Sequence, residues 1–251
     1  MAKTDIHGRK IDTEWKSQKT SKFFESPLLY KENGFKEKTT AQALIRALEE
    51  NGNPLEMTIK SITMKDEKKQ APLLYNLAEL QNDCSKMFKI SPDETLNVVQ
   101  QLYESKLVTY PRTDARVLST AVAKEIGKNL NRLKTYEPTK TYTECILKEG
   151  TYRNIARTQY TDDSKITDHY AIIPTGQLTE LGSLSDLQRR VYDLVVRRFL
   201  SIFYPAAEYE TIKLVVQVGA EQLFASAKVL KNPGFLEIMG RPGNDENKEE
   251  E

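Results

Sequence analysis

The sequence predicts an α+β protein built as a discontinuous β-rich domain, residues 1–69 and 206–251, that carries an inserted helical domain over residues 70–205. Three observations lead there. Alternating and β-branched apolar residues occupy both ends of the chain, apolar residues at helical spacing occupy the middle, and the pattern changes at the charged run Lys65–Gln70 and at Pro205. With 251 residues the chain is long enough for two modest domains, each with its own core.

The first stretch reads as short strands with one helix. Thr39–Leu48 places apolar residues at helical spacing and stops at Asn51-Gly52. Met57–Met64 is β-branched with partial alternation, as a strand requires, and Lys65–Gln70 reads as a charged connector at a domain junction. From Ala71 the pattern turns helical, with Leu73, Leu77, Leu80, Cys84 and Met87 on one face. Ser91-Pro92-Asp93-Glu94 then supplies a cap serine, a proline at the first helical position and a glutamate three residues on. The helix it starts buries Leu96, Val99 and Tyr103. Lys106–Tyr110 reads as a short strand ended by Pro111.

Ser119 caps a further helix carrying Val122, Ile126, Leu130 and Leu133. A last long helix starts at the capping box Ser185–Gln188, buries Leu187, Val191, Leu194, Val195 and Ile202, and stops at Pro205. Two strands close the chain as a hairpin: Ile212, Leu214, Val216 and Val218 alternate, and after Gly219-Ala220-Glu221 so do Leu223, Ala225, Ala227 and Val229. Short amphipathic helices followed by a strand make the inserted domain winged-helix-like. No internal repeat or low-complexity tract appears.

Composition narrows the function classes. Hydrophobic residues make up 39% and charged residues 29%, a globular balance. No run of about 18 apolar residues is present, and Met1–Asp5 lacks the apolar centre of a signal peptide. A soluble, cytoplasmic monomer is the expectation. Cys84 and Cys145 stand alone and make no zinc site by spacing. The net charge of +1 excludes a polycation while leaving room for a local basic groove, because the acidic run Asp245–Glu251 lowers the total by itself.

Composition and spacing do not choose among the twelve tyrosines. A motif does. Thr109-Tyr110-Pro111-Arg112-Thr113-Asp114-Ala115-Arg116, followed by Val117-Leu118-Ser119, resembles the active-site signature of type IA DNA topoisomerases, in the topoisomerase III branch. His169-Tyr170-Ala171-Ile172-Ile173-Pro174-Thr175 is similar to the histidine segment of the same family. The helix Thr95–Tyr103 and the stretch Tyr75–Gln81 look like the family too, and the likeness covers roughly residues 34–240.

The resemblance implies that Tyr110 is the nucleophile, with Arg112 and His169 beside it. It also implies that Lys106, Thr113, Asp114 and Arg116 meet DNA, and that the flanking β segments form an arch and hinge, crossed near Lys65–Gln70 and Tyr204–Ala207. The chemistry suits these residue types. A tyrosine phenol attacks phosphorus and later departs as phenolate, so a strand is cut and rejoined without loss of bond energy. Its ordinary pKa of about 10 calls for help with the proton. A guanidinium two residues on can hold two phosphate oxygens and keeps its charge. Pro111 biases Tyr110 toward extended backbone. His169, one of two histidines, suits hydrogen bonding to a phosphate or proton transfer near neutral pH. Asp114 either buttresses Arg112 or caps the loop that follows. Tyr170 stands where the branch often has a second histidine. His7 has no such context and reads as an exposed side chain.

The family also implies Mg2+, held by an acidic domain upstream. No Asp-x-Asp pair lies in a strand context here, and Asp162-Asp163 sits in a polar loop. The chain therefore reads as a part of a longer enzyme, lacking the upstream metal-binding domain of the same chain, able to fold alone and unable to relax DNA alone. Its expected partner is single-stranded or underwound DNA. Lys106, Arg116, Lys124, Lys128, Arg132, Arg153, Arg157 and Lys165 surround the motifs. Tyr136, Tyr142, Tyr152 and Tyr160 are interleaved with them as stacking candidates. The pairs Arg189-Arg190 and Arg197-Arg198 read as the polar side of a helix. Competing readings are a DNA-binding module without chemistry, a structural interaction protein, and a tyrosine recombinase or type IB enzyme. The last places its tyrosine near the C-terminus, whereas more than half of this chain follows Tyr110.

Overall fold

A computed structural model describes residues 2–6, 9–31, 34–50, 52 and 56–239. Met1, His7 and the acidic run Asp245–Glu251 lie outside the described residues. These residues divide into two compact units, with the cuts after Glu67, Ala207 and Lys231. No helix among them is long and apolar enough to cross a membrane.

The first unit is a mixed one around an antiparallel sheet. It holds β1 (Ala2–Ile6), β2 (Arg9–Trp15), β3 (Leu29–Lys31), β4 (Gly34–Phe35), α1 (Lys38–Glu49), β5 (Thr58–Lys69), β6 (Ala207–Val218) and β7 (Glu221–Asn232). Five strands form one sheet in the order β1-β2-β7-β6-β5, while β3 and β4 pair separately. The register runs from Ala2↔Thr13 to Ile6↔Arg9, then Glu14↔Phe224 and Trp15↔Leu223. The alternation seen in the sequence turns Leu214, Val216 and Leu223 inward, where Ile11, Trp15 and Met57 pack on them. Trp15 also stacks on Phe35 at 4.9 Å, and Phe23 meets both rings edge-on. Glu221 is buried yet satisfied, taking the Trp15 indole N–H at 2.7 Å and the Ser21 hydroxyl at 3.0 Å.

The sequence reads Lys65–Gln70 as a connector, but β5 continues through Lys69. Its charges have partners within the sheet. Lys228 Nζ lies 2.6 Å from Glu67 and Lys231 Nζ 3.8 Å from Asp66, and the Lys228 ammonium holds the Glu67 carboxyl below its ordinary range.

The second unit is helical: α2 (Leu77–Phe88), α3 (Pro92–Glu104), α4 (Thr120–Leu133), α5 (Lys140–Glu149), α6 (Asp186–Ser201) and the short α7 (Leu236–Met239). Caps set their starts. Asn76, Ser91, Ser119 and Ser185 each accept the N–H three residues on, and Gln188 completes a capping box with Ser185. α2 begins at Leu77 rather than near Ala71, because residues 71–75 lie extended: Tyr75 forms an antiparallel bridge with Ile172, and the Leu74 N–H reaches the Arg116 carbonyl. α5 has no counterpart in the sequence reading. Residues 233–239, grouped by sequence with the strands, pack on the helices instead. The Phe235 N–H donates to the Pro205 carbonyl, and the carbonyls of Glu237 and Ile238 accept from Tyr142 and Arg197. Gly234 permits this return. Its φ is +50, and a Cβ there would stand 2.5 Å from the carbonyl oxygens of Pro205 and Ala206.

Arg198, expected from the sequence on the polar side of its helix, is buried instead. It is 5% exposed, stacks on the Tyr75 ring at 4.1 Å, and donates to the Leu73 carbonyl, the Tyr75 hydroxyl and Asp83 at 2.9, 3.1 and 2.8 Å. Tyr75 in turn donates to Asp83 at 2.6 Å. The ion pair ties α6 to α2 and to the extended segment before it.

Candidate active site

Two segments far apart in sequence form the site, and threonines join them. The stretch expected as a strand, Lys106–Tyr110, is a turn leaving α3 followed by one antiparallel bridge, Val108 with Pro174. The Thr109 N–H donates to the Ile173 carbonyl at 3.0 Å. Its hydroxyl donates to the Ala171 carbonyl at 3.0 Å and accepts the Ile173 N–H at 2.9 Å. The Thr113 hydroxyl donates to the His169 carbonyl at 2.7 Å and accepts the Ala115 N–H at 3.1 Å. The Ala171 N–H reaches the Val117 carbonyl and the Ile172 N–H the Tyr75 carbonyl. Pro111, Thr113 and Ala115 are buried, alternating with exposed Arg112 and Asp114 and half-buried Arg116.

This lacing sets the rings. The Tyr110 ring lies 4.4 Å from the His169 imidazole, tilted by 42°, and meets Tyr103 edge-on at 5.4 Å. Tyr110 is half-buried and His169 exposed. A cavity of about 380 Å³ opens beside them, lined also by Lys106, Tyr170 and Gln177. Burial pushes the Tyr170 phenol above its ordinary range.

The sequence-assigned residues separate into two groups. Tyr110, His169 and Lys106 share the cavity. Arg112 is exposed and makes no ion pair or side-chain hydrogen bond among the described residues, Asp114 included. Asp114 is held through its backbone, where its carbonyl accepts from Asn76 at 3.1 Å. Thr113 and Arg116 face inward. The Arg116 guanidinium donates to the Leu74 carbonyl at 3.3 Å and pairs with Glu79 at 3.3 Å. Among the surrounding bases, Lys128 pairs with Glu125 and Lys165 with Asp162. Two stacking candidates are excluded: Tyr136 and Tyr160 are buried, their hydroxyls donating to Asp193 and to the Ala71 carbonyl. Tyr103, expected in the core, is 39% exposed instead. The sequence signal for it is its position in the last turn before the tyrosine segment.

Asp162 and Asp163 serve local turns. Asp163 accepts the backbone N–H and hydroxyl of Thr120, Asp162 those of Ser164, and these donors lower both carboxyls below their ordinary range. Among the described residues no cluster of three His, Cys, Asp or Glu side chains is arranged to hold a metal.

The sequence pattern of the DNA topoisomerase family matches residues 10–251, and the chain belongs to that family. Within it the chain is of type IA and resembles topoisomerase III. DNA topoisomerase 3 of Bacillus subtilis is 40% identical over 182 residues, covering 72% of this chain and 24% of the relative. DNA topoisomerase 3 of Bacillus cereus is 40% identical over 187 residues, with the same coverage. The chain thus spans about a quarter of the length of the curated relatives it matches. Full-length topoisomerase I from Thermotoga maritima superposes with a TM-score of 0.55 over 85% of this chain and 33% of that one. At 18% identity that likeness is one of fold.

Proposed function

We propose that this chain carries the nucleophile of a type IA DNA topoisomerase, and that the whole enzyme cuts and rejoins one DNA strand through a 5′-phosphotyrosine at Tyr110. The observation that carries the reading is the pairing of the Tyr110 phenol ring with the His169 imidazole at 4.4 Å, held by Thr109 and Thr113. In the cutting step the phenol oxygen bonds to phosphorus and gives up its proton. The bond from phosphorus to the 3′ oxygen breaks, and that oxygen leaves as a 3′ hydroxyl. Rejoining runs the same steps in reverse, so linking or catenation changes with no net loss of phosphodiester bonds.

Arg112, exposed and without an ion pair among the described residues, is the group to hold the phosphate oxygens as charge builds on them. His169 donates to the same phosphate or carries the phenol proton. Lys106 meets the DNA backbone, and Asp114, exposed beside Arg112, lines its path. Thr113 and Arg116 act as positioning residues, because their polar atoms are engaged within the protein. The helical unit, winged-helix-like in its order of elements, presents the tyrosine to single-stranded or underwound DNA. Mg2+ belongs to the full-length enzyme and to residues other than those described. The chain by itself is accordingly expected to leave supercoiled plasmid unrelaxed.

The test uses the full-length enzyme with magnesium and an end-labelled single-stranded oligonucleotide, read on a denaturing gel. A protein–DNA adduct on the 5′ phosphate that vanishes with Tyr110→Phe supports the reading. An adduct indifferent to that substitution, or none at all, sinks Tyr110 as nucleophile and favours a DNA-binding module.

A further inference from the structure

A second cavity in the helical unit, of about 790 Å³, shares no lining residue with the one beside Tyr110. Its size falls within the range of binding sites. Much of its lining is apolar: Met87 and Phe88 at the end of α2, Leu181, Leu194 of α6 and Met239 of α7. Met87 leaves 56% of its surface exposed, and thioether side chains adapt to the apolar shape that meets them. The rest of the lining is cationic, and its acids already have partners. Asp193 accepts from Arg197 Nε at 2.6 Å and from the Tyr136 hydroxyl at 3.3 Å, and Glu137 accepts from the Lys140 ammonium at 3.2 Å. Arg189 and Arg190 are left over. Arg189 is exposed and has no ion pair or side-chain hydrogen bond among the described residues. The Arg190 guanidinium reaches Asp186 only at 3.9 Å and lies over the Phe88 ring at 4.5 Å. Lys86 and Lys89, exposed on either side of Met87 and Phe88 in sequence, add charge of the same sign.

We propose that this cavity docks an acidic segment of a partner protein, whose carboxylates meet Arg189 and Arg190 while a large apolar side chain packs on Met87, Leu181 and Met239. The inference stands apart from the assignment of Tyr110. Charge complementarity chooses the occupant. A carboxylate fits the planar fork of a guanidinium, and two such forks without a close acid of their own call for an anionic partner. A nucleic acid is anionic too, but unpaired strands are held by bases stacked on open aromatic rings. The two rings here are not open: Arg190 lies over Phe88, and Tyr136 is buried. Methionine and leucine side chains suit the apolar anchor of a peptide instead. Residues 177–181 join the cavity beside Tyr110 to this one, so a partner docked here is carried on the same unit as the tyrosine.

The test uses this chain and a fluorescein-labelled peptide, Asp-Glu-Asp-Glu-Leu-Phe, read by fluorescence polarisation. Two control peptides replace the acids by asparagine and glutamine, or the Leu-Phe end by serines. The acidic, apolar peptide is expected to bind, and each control to bind at least about 5-fold more weakly. Added salt is expected to weaken binding, because the charges are exposed. Arg189→Glu combined with Arg190→Glu removes binding, and Met87→Ser weakens it by at least about 5-fold. All three side chains are exposed, so the urea midpoint is expected to hold. No binding, equal binding of the three peptides, or binding indifferent to the arginine pair or to Met87 would each overturn the proposal. Displacement of the peptide by a single-stranded oligodeoxynucleotide would overturn it too, by assigning the surface to DNA. Binding that appears only once residues 245–251 are deleted would give the cavity to this chain's own acidic run in place of a partner.

Discussion

Thr113→Val keeps the β-branched shape and removes one hydroxyl, the group that joins the tyrosine segment to the histidine segment. That hydroxyl donates to the His169 carbonyl at 2.7 Å, accepts the Ala115 N–H at 3.1 Å, and belongs to a residue only 7% exposed. Each of the two bonds contributes about 0.5–1.5 kcal/mol net, and a buried partner left without a bond costs more. The expected loss is therefore on the order of 2–3 kcal/mol. With a urea slope of roughly 1–3 kcal/mol/M, the midpoint of the helical unit moves down by about 1 M. Far-UV circular dichroism follows that unit, while Trp15, the single tryptophan, reports the sheet unit separately. The same substitution frees the His169 backbone, so the full-length enzyme is expected to form less Tyr110 adduct, and Thr113→Ser is expected to restore it. A midpoint shift under about 0.3 M with adduct yield unchanged would refute the joining role of this hydroxyl.

Two further outcomes follow from buried groups. Arg198→Met leaves the Asp83 carboxylate facing Tyr75 without its cation and is expected to cost about 3–5 kcal/mol, whereas Arg198→Met with Asp83→Asn costs less than the sum of the single changes. Urea unfolding of the four proteins of that cycle measures the difference, and strict additivity would argue against the pair. Burial pushes the Cys84 thiol up from 9.0 to about 11. A raised folded pKa means that the unfolded chain releases its proton first, so this stability is fully present below pH 9 and is lost as pH rises through 11. Urea midpoints taken across that window should fall, and Cys84→Ala should flatten the part of the fall that starts near pH 9. An identical slope in both proteins would assign it to the buried phenols of Tyr75 and Tyr192, which burial also raises.

Much of this protein is legible locally. Ser91, Ser119 and Ser185 announce their helices because a cap is a bond between residues three apart. The closing hairpin shows in its alternation because a strand has period two. The tyrosine and histidine motifs name the residues that meet in the cavity, although nothing in their spacing says that they meet. α5 escapes notice because its buried positions, Thr143 and Ile146, leave a weak apolar stripe among charged residues.

What the chain determines by itself is therefore the type of most elements and the identity of its family. The tertiary structure decides which polar groups are satisfied, and by whom. Arg198 looks like any arginine on a charged helix until Asp83, more than a hundred residues away, takes it into the core. Tyr136 and Tyr160 look available to a nucleic acid until Asp193 and the Ala71 carbonyl take their hydroxyls, while Tyr103 looks like core and lies beside the cavity. Lys65–Lys69 looks like a linker until Lys228 and Lys231 pair with its acids. Periodicity records how each residue is oriented on its own helix or strand. Hydrogen bonds and ion pairs between distant segments are satisfied only in the folded chain, and their cost when unmet is what places these side chains.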